Sequence, residues 1–178
     1  MTTYISLLRG INVSGQKVLK MTALCAEYQA LGFEQVKSYI QSGNVIFQTK
    51  KENTTHLAQK IQAMILEKWS FEVPVIVKEV EEWQTVLANN PFILTGNEDI
   101  SKLHVTFLSD TPTEANWEKV EAGQYGEDVY SLVGKTIYLF CPNGYGNSKL
   151  TNTFFESKLK VQATTRNWNT MEKIANLI

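Results

Sequence analysis

Twice along this chain, short runs of β-branched and aromatic residues alternate with longer runs of helical period, in the same order each time. Tyr4–Leu8 reads as a strand, and a helix follows from about Thr22 to Leu31, closed by Gly32. Val36–Gln41 and Val45–Thr49 read as a hairpin joined through Ser42-Gly43-Asn44. Leu57, Ile61, Met64, Ile65 and Trp69 recur at helical spacing behind a Thr54 or Thr55 cap. Val73–Val77 returns as a strand that Pro74 places at an edge, or whose start Pro74 marks. After a bridging helix near Glu81–Ala88 the order repeats: strand Leu103–Leu108, helix Pro112–Glu121, strands Asp128–Val133 and Thr136–Phe140 around Gly134-Lys135, helix Ser148–Leu159, and a strand within Val161–Thr165. Asn169 and Glu172 have capping-box spacing and start a last helix.

This order predicts an α+β protein of two tandem ferredoxin-like β-α-β-β-α-β halves with antiparallel sheets, linked by a helix and followed by a C-terminal helix. The expected boundaries are 1–79 for the first half, 80–100 for the bridging helix and linker (Asn89-Asn90-Pro91 to Asn97-Glu98-Asp99), and 101–178 for the second half. With 178 residues, 43% of them hydrophobic and 11% aromatic, each half can build a core of its own. No apolar run is long enough for a signal-peptide core or a membrane span, so a cytoplasmic protein without a membrane partner is expected. Cys25 and Cys141 are isolated and expected to be buried; neither a disulfide, a metal site nor a cofactor is indicated.

Charge is unevenly spread. Residues 1–51 carry six Lys/Arg against two Asp/Glu, residues 52–134 five against fourteen, and residues 135–178 six against two. Three polar stretches lie in the basic segments: Arg9–Lys17, Gln41–Asn44 and Thr164–Thr170. They hold guanidinium, ammonium, amide and hydroxyl groups but no carboxylate and no histidine, which suits holding an anion better than moving a proton.

The stretches Tyr4–Val13, Tyr39–Phe47 and Thr164–Thr170, together with Asn90-Pro91-Phe92 and Ser148–Thr151, resemble the bacterial family known as domain of unknown function 1697, over the whole chain. The family usually has two glycines where this chain has Ser14-Gly15. The resemblance implies a two-part α+β fold and no activity.

The connection from Arg9 to Lys20 is about twice the two to six residues usual between strand and helix. Gly10 and Gly15 have phosphate-loop spacing, yet Gln16 stands where that motif needs Lys and Lys17 where it needs Ser or Thr, so a Walker-type site is rejected. Two readings remain: anion or polar-ligand binding by Arg9, Asn12 and Lys17, or Ile11 and Val13 plugging the core while Arg9 makes a surface ion pair. In Gln41–Asn44, turn chemistry accounts for Ser42, Gly43 and Asn44, leaving Gln41 as a candidate. Because Asn169 is assigned to capping, Arg166 and Asn167 are the candidates at the C-terminal stretch, with Trp168 as a helix anchor. Lys149 stands at an expected helix start, against the dipole's preference. His56 and His104 are given structural roles, and Glu79, Glu81 and Glu82 a solvating one.

Within one half, the loop after the first strand and the hairpin turn are expected at opposite sheet ends, about 15–20 Å apart for strands of this length. The C-terminal stretch is then expected to join the Arg9 loop across the junction of the halves. Three functions follow in order: a module binding a small anionic or nucleotide-like ligand there; an enzyme whose same cations stabilise developing charge; and nucleic-acid binding, whose phosphate contacts would be salt-sensitive. The oligomeric state stays open.

Overall fold

The computed structural model describes residues 1–96 and 99–178, so the expected linker positions Asn97 and Glu98 lie outside the described residues. The chain divides into one unit of Met1–Gln84 with Leu177–Ile178, and a second of Thr85–Asn176.

In the first unit, strands β1 (Thr2–Leu8), β2 (Glu34–Tyr39), β3 (Asn44–Thr49) and β4 (Val75–Glu79) form a sheet of order β2-β3-β1-β4, with helices α1 (Met21–Ala30) and α2 (Thr54–Trp69) between them in sequence. β4 begins after Pro74, as a residue without a free N–H requires. Inward positions of the strands alternate, so Tyr4, Leu8, Val45, Phe47, Val75 and Val77 meet Leu24, Tyr28, Leu57, Ile61 and Ile65 of the helices. Phe33 stacks on Phe47 with ring centres 4.5 Å apart. Ser6, buried among these side chains, bonds the Tyr28 hydroxyl at 2.8 Å and donates to the Val45 carbonyl. The α2 cap is Asn53, one residue before the expected threonines; its side chain accepts from Thr55 and His56 N–H.

α3 (Val80–Ala88) contains the division between the units. The segment expected to bridge is largely packed into the second unit: the Tyr138 hydroxyl donates to the Val86 carbonyl at 3.0 Å, and Phe92, in α4 (Pro91–Leu94), lies 6.4 Å from the Phe140 ring.

The second unit repeats the first. Strands β5 (Leu103–Leu108), β6 (Val129–Val133), β7 (Thr136–Phe140) and β8 (Ala163–Asn167) take the order β6-β7-β5-β8, with α5 (Glu114–Glu121) and α6 (Asn152–Leu159) over Leu108, Ile137, Leu139 and Ala163, and α7 (Trp168–Ala175) last. Single hydrogen bonds show the duplication. Leu8 N–H donates to Gly43 O at 2.8 Å, and Leu108 N–H to Lys135 O at 2.9 Å; Arg9 N–H donates to Pro74 O, and Ser109 N–H to Gln162 O. The duplicated ferredoxin-like arrangement read from the sequence is the one observed.

Two caps in this unit differ from expectation. α7 is capped by Asn167, whose side chain accepts from Thr170 N–H, and Asn169 is already helical. The Asn167 backbone is extended, as an N-cap must be while it still pairs in β8. α6 is capped by Thr151 and begins at Asn152, not Ser148. Among the described residues, no helix is long and apolar enough to cross a membrane.

Candidate functional site

β1 and β2 both run antiparallel to β3, so the end of β1 and the β2–β3 turn fall at the same end of the sheet. This corrects the expectation that the Arg9 loop and the Gln41 turn lie at opposite ends: the crossover through α1 makes β1 and β2 parallel to each other. The approach to β4 reaches the same end, because Leu8 pairs with Val75.

Asn12 ties these segments together. Its side-chain N–H donates to the Gln41 carbonyl at 2.9 Å, its side-chain oxygen accepts from Leu19 N–H at 2.9 Å, and its own N–H donates to the Lys17 carbonyl at 3.2 Å. The Asn12 amide therefore braces these segments with both of its side-chain groups. The Lys17 ammonium donates to the main-chain carbonyl of Glu72. One of its three N–H groups serves that bond. Arg9 is half-buried at the end of β1, and the Gln41 side chain is exposed in the turn, past the end of β2.

Of the two apolar residues expected to plug the core, only Ile11 does so. It is 1% exposed, whereas Val13 is 55% exposed. Val13 begins a tight turn with Gln16, whose N–H donates to Val13 O at 2.9 Å. The central residues Ser14 and Gly15 have φ of 50° and 73°, the signs of a type I′ turn. Position 14 thus uses the left-handed region for which the family's glycine is suited. In the hairpin, Gly43 is held at φ 80°, and a Cβ there would lie 2.7 Å from Leu8 Cβ. Asn44 works through its side chain instead, donating to Tyr39 O and Ser42 Oγ, while Ile40 takes the other positive φ, 50°.

The start of α1 adds to this end. Lys20 occupies its N-cap without a side-chain bond, and no acid lies in the first turn. By contrast, α2, α5, α6 and α7 are capped by Asn53, Thr113, Thr151 and Asn167.

The second-unit candidates lie on β8 (Arg166), at the β8–α7 junction (Asn167) and ahead of α6 (Lys149). Arg166 is 9% exposed on edge strand β8 and donates from Nη1 to Thr164 Oγ1 and the Thr165 carbonyl, both at 2.9 Å. Burial lowers its pKa to about 10, which leaves it charged at neutral pH. Asn167 caps α7, and buried Trp168 anchors it. Lys149 is exposed, two residues before the α6 cap, and its carbonyl accepts from Thr151 N–H.

Sequence reasoning missed a polar hub in this unit. Thr165 Oγ1 lies 2.7 Å from both Thr106 Oγ1 and Asn152 Oδ1, and accepts from the Tyr145 hydroxyl at 3.2 Å. His104 stacks on Tyr145 at 4.7 Å, with Nδ1 3.3 Å from the Lys102 carbonyl. Burial depresses the His104 pKa. The polar character of Thr106 and Thr165 within β-rich runs was the available signal. Cys141 is buried, and burial with the nearby Asp128 charge pushes its thiol up to about 11; Cys25 is half-buried.

A cleft of about 490 Å³ opens at the other end of the first sheet, lined by Lys51, Glu52, Asn53, Thr54, Glu79 and Glu82. Its carboxylates are matched internally: Glu79 by Lys51, Glu52 by Lys60 and His56, and Glu82 by Lys78. Glu79 and Glu82 thus have partners beyond the solvent assigned to them from the sequence. Among the described residues, no group of three His, Cys, Asp or Glu is placed to hold a metal ion.

Two copies of one antiparallel fold, the first with an elaborated loop end, define a tandem ferredoxin-like α+β protein. The chain belongs to the family described as Protein of unknown function (DUF1697), whose model matches residues 1–138. It is similar to the solved structure of the conserved bacterial protein SP0830 from Streptococcus pneumoniae, with 25% identity, a TM-score of 0.76, and coverage of 99% of this chain and 98% of that one. No curated protein matches the chain.

Proposed function

We propose that the protein is a binding module for a small anionic ligand, held at the end of the first sheet by Arg9, Lys17 and Gln41 with Asn12 as the brace. The observation that carries this reading is internal to the chain. The second unit joins β5 to α5 through five residues, Ser109–Thr113, where the first unit uses twelve, Arg9–Lys20, between β1 and α1. Its hairpin turns in two residues, Gly134-Lys135, where the first uses four, Ile40–Gly43. Folding this topology therefore requires neither excess, yet both occur at one sheet end and meet through Asn12.

The chemistry of the excess supports an anion. The inserted residues include Arg9, Lys17 and Lys20 and no Asp or Glu in sequence, whereas the equivalent end of the second unit carries Asp110, paired with Lys135. The start of α1, where Lys20 makes no side-chain cap bond and no acid lies in the first turn, adds a positive dipole end. Nucleic-acid binding has weaker support, because the basic ends seen along the sequence dissolve in the fold. The first unit carries nine Lys/Arg against eight Asp/Glu, and the second eight against ten. Either unit lacks the excess positive charge of a phosphate-backbone groove.

The test is a thermal-shift screen with inorganic phosphate, nucleotides and phosphorylated metabolites. A ligand at a hundred times its Kd stabilises by about 2.7 kcal/mol. The reading expects a shift that is lost in Arg9→Ala/Lys17→Ala. No shift in wild type, or an equal shift in the double variant, refutes it.

A further inference from the structure

The segments that lengthen the first unit also expose aliphatic side chains. Val13 is 55% exposed, Val18 62% and Ile40 50%. Each lies beside a group that Asn12 holds. Val13 follows Asn12 itself, Val18 lies between Lys17 and Leu19, whose backbones Asn12 bonds, and Ile40 precedes Gln41, whose carbonyl receives the Asn12 amide. The three are therefore grouped at one sheet end.

Folding does not ask for these residues. Ile40 sits at φ 50°, a conformation that disfavours a β-branched side chain and would suit Asn or Gly. Its side chain gains little packing in return. All four residues of the turn Val13–Gln16 are exposed, so the surface is a projecting tip and not a groove. Lys17 and Lys20 adjoin Val18 and Leu19 in sequence, Arg9 follows β1 at the same sheet end, and the Glu72 main chain reaches that end through its carbonyl, which accepts from Lys17. A projecting aliphatic tip with flanking cations fits a deformable partner that is apolar beneath an anionic skin.

We propose that this end of the first unit docks on an anionic lipid bilayer, with Val13, Val18 and Ile40 entering the headgroup region and Arg9, Lys17 and Lys20 set against lipid phosphates. The inference rests on the anion-binding reading for its cations and adds the aliphatic contact and the identity of the surface. One acyl-sized contact with a few cations gives weak, reversible binding, which salt weakens further.

The experiment is co-sedimentation of the full chain with vesicles of phosphatidylcholine containing phosphatidylglycerol, against phosphatidylcholine alone. Wild type should partition to the anionic vesicles and be released by salt. The variant Val13→Ser/Val18→Ser/Ile40→Asn should lose about tenfold or more of that partitioning. Its melting temperature should be at least that of wild type, because two positions are exposed and Asn relieves the third. Arg9→Ala/Lys17→Ala should lose partitioning without the aliphatic change.

Equal partitioning to both vesicle types, or an unchanged triple variant, overturns the docking. A thermal shift by soluble phosphorylated ligands without vesicle binding also overturns it and leaves the small-ligand module standing. Vesicle binding without such a shift supports the docking and removes the small-ligand reading. Concentration-dependent self-association in lipid-free solution, abolished by the triple variant, would assign the patch to a second copy of the chain and overturn the lipid assignment.

Discussion

The side-chain amide of Asn12 donates to the main-chain carbonyl of Gln41 at 2.9 Å, joining two segments that are separated by helix α1 and strand β2. The same side chain receives Leu19 N–H. Asn12→Ala removes both bonds and leaves a left-handed residue with a Cβ but no local amide to favour it. The expected loss is about 1–3 kcal/mol in urea unfolding. Amide exchange at Leu19 should accelerate markedly while exchange in the β5–β8 sheet stays unchanged.

Ser14 is strained where a glycine would not be. Ser14→Gly should stabilise the chain by about 1 kcal/mol, offset in part by the greater freedom of glycine in the unfolded state. That is a rise of about 2–4 °C in melting temperature. A fall instead would show that the serine hydroxyl is needed in the turn.

Two hairpin glycines should respond differently to alanine. At Gly43, both the positive φ and the Leu8 Cβ at 2.7 Å oppose a methyl group, so Gly43→Ala should cost more than about 2 kcal/mol. At Gly134, φ is 59° and no atom lies within 4 Å, so Gly134→Ala should cost only about 1 kcal/mol. Denaturant midpoints of the two variants measure the difference, and equal midpoints would contradict the close approach at Gly43.

His104 makes stability pH-dependent. Its folded pKa lies below the ordinary value of 6.5 because burial opposes the charged ring. Above the unfolded-state value both states are neutral, and the group has no effect. As pH falls through that value the unfolded state takes up the proton first, so stability declines until the folded pKa is passed. His104→Phe keeps a ring against Tyr145 and removes the titration. Its unfolding free energy should change less between about pH 7.5 and 5 than that of wild type. An identical slope would assign the dependence to other groups.

The strands and helices were legible because their hydrophobic periods are strong; Leu103–Leu108 and Thr136–Phe140 have the bounds read from the sequence. The caps were less so. Asn53 and Thr151 lie beside another residue of capping chemistry and Asn167 lies two residues from one, and only backbone geometry decides which one stops being extended. The Arg9 loop is recognisable from its length, but its meeting with the Gln41 turn depends on strand direction around the α1 crossover, which makes β1 and β2 parallel to each other. The burial of Arg166 was not readable at all, since a guanidinium among threonines suits an exposed edge equally well.

The strand order sets a timetable for synthesis. Of the strands of its sheet β1 is made first, yet the partner on its second side is β4, which ends only at Glu79. Until the ribosome has extruded the chain that far, the edge from Tyr4 to Leu8 and the amide of Arg9 have no strand beside them. A nascent polypeptide halted within α2 would present a bare, apolar β-edge to any neighbour or chaperone.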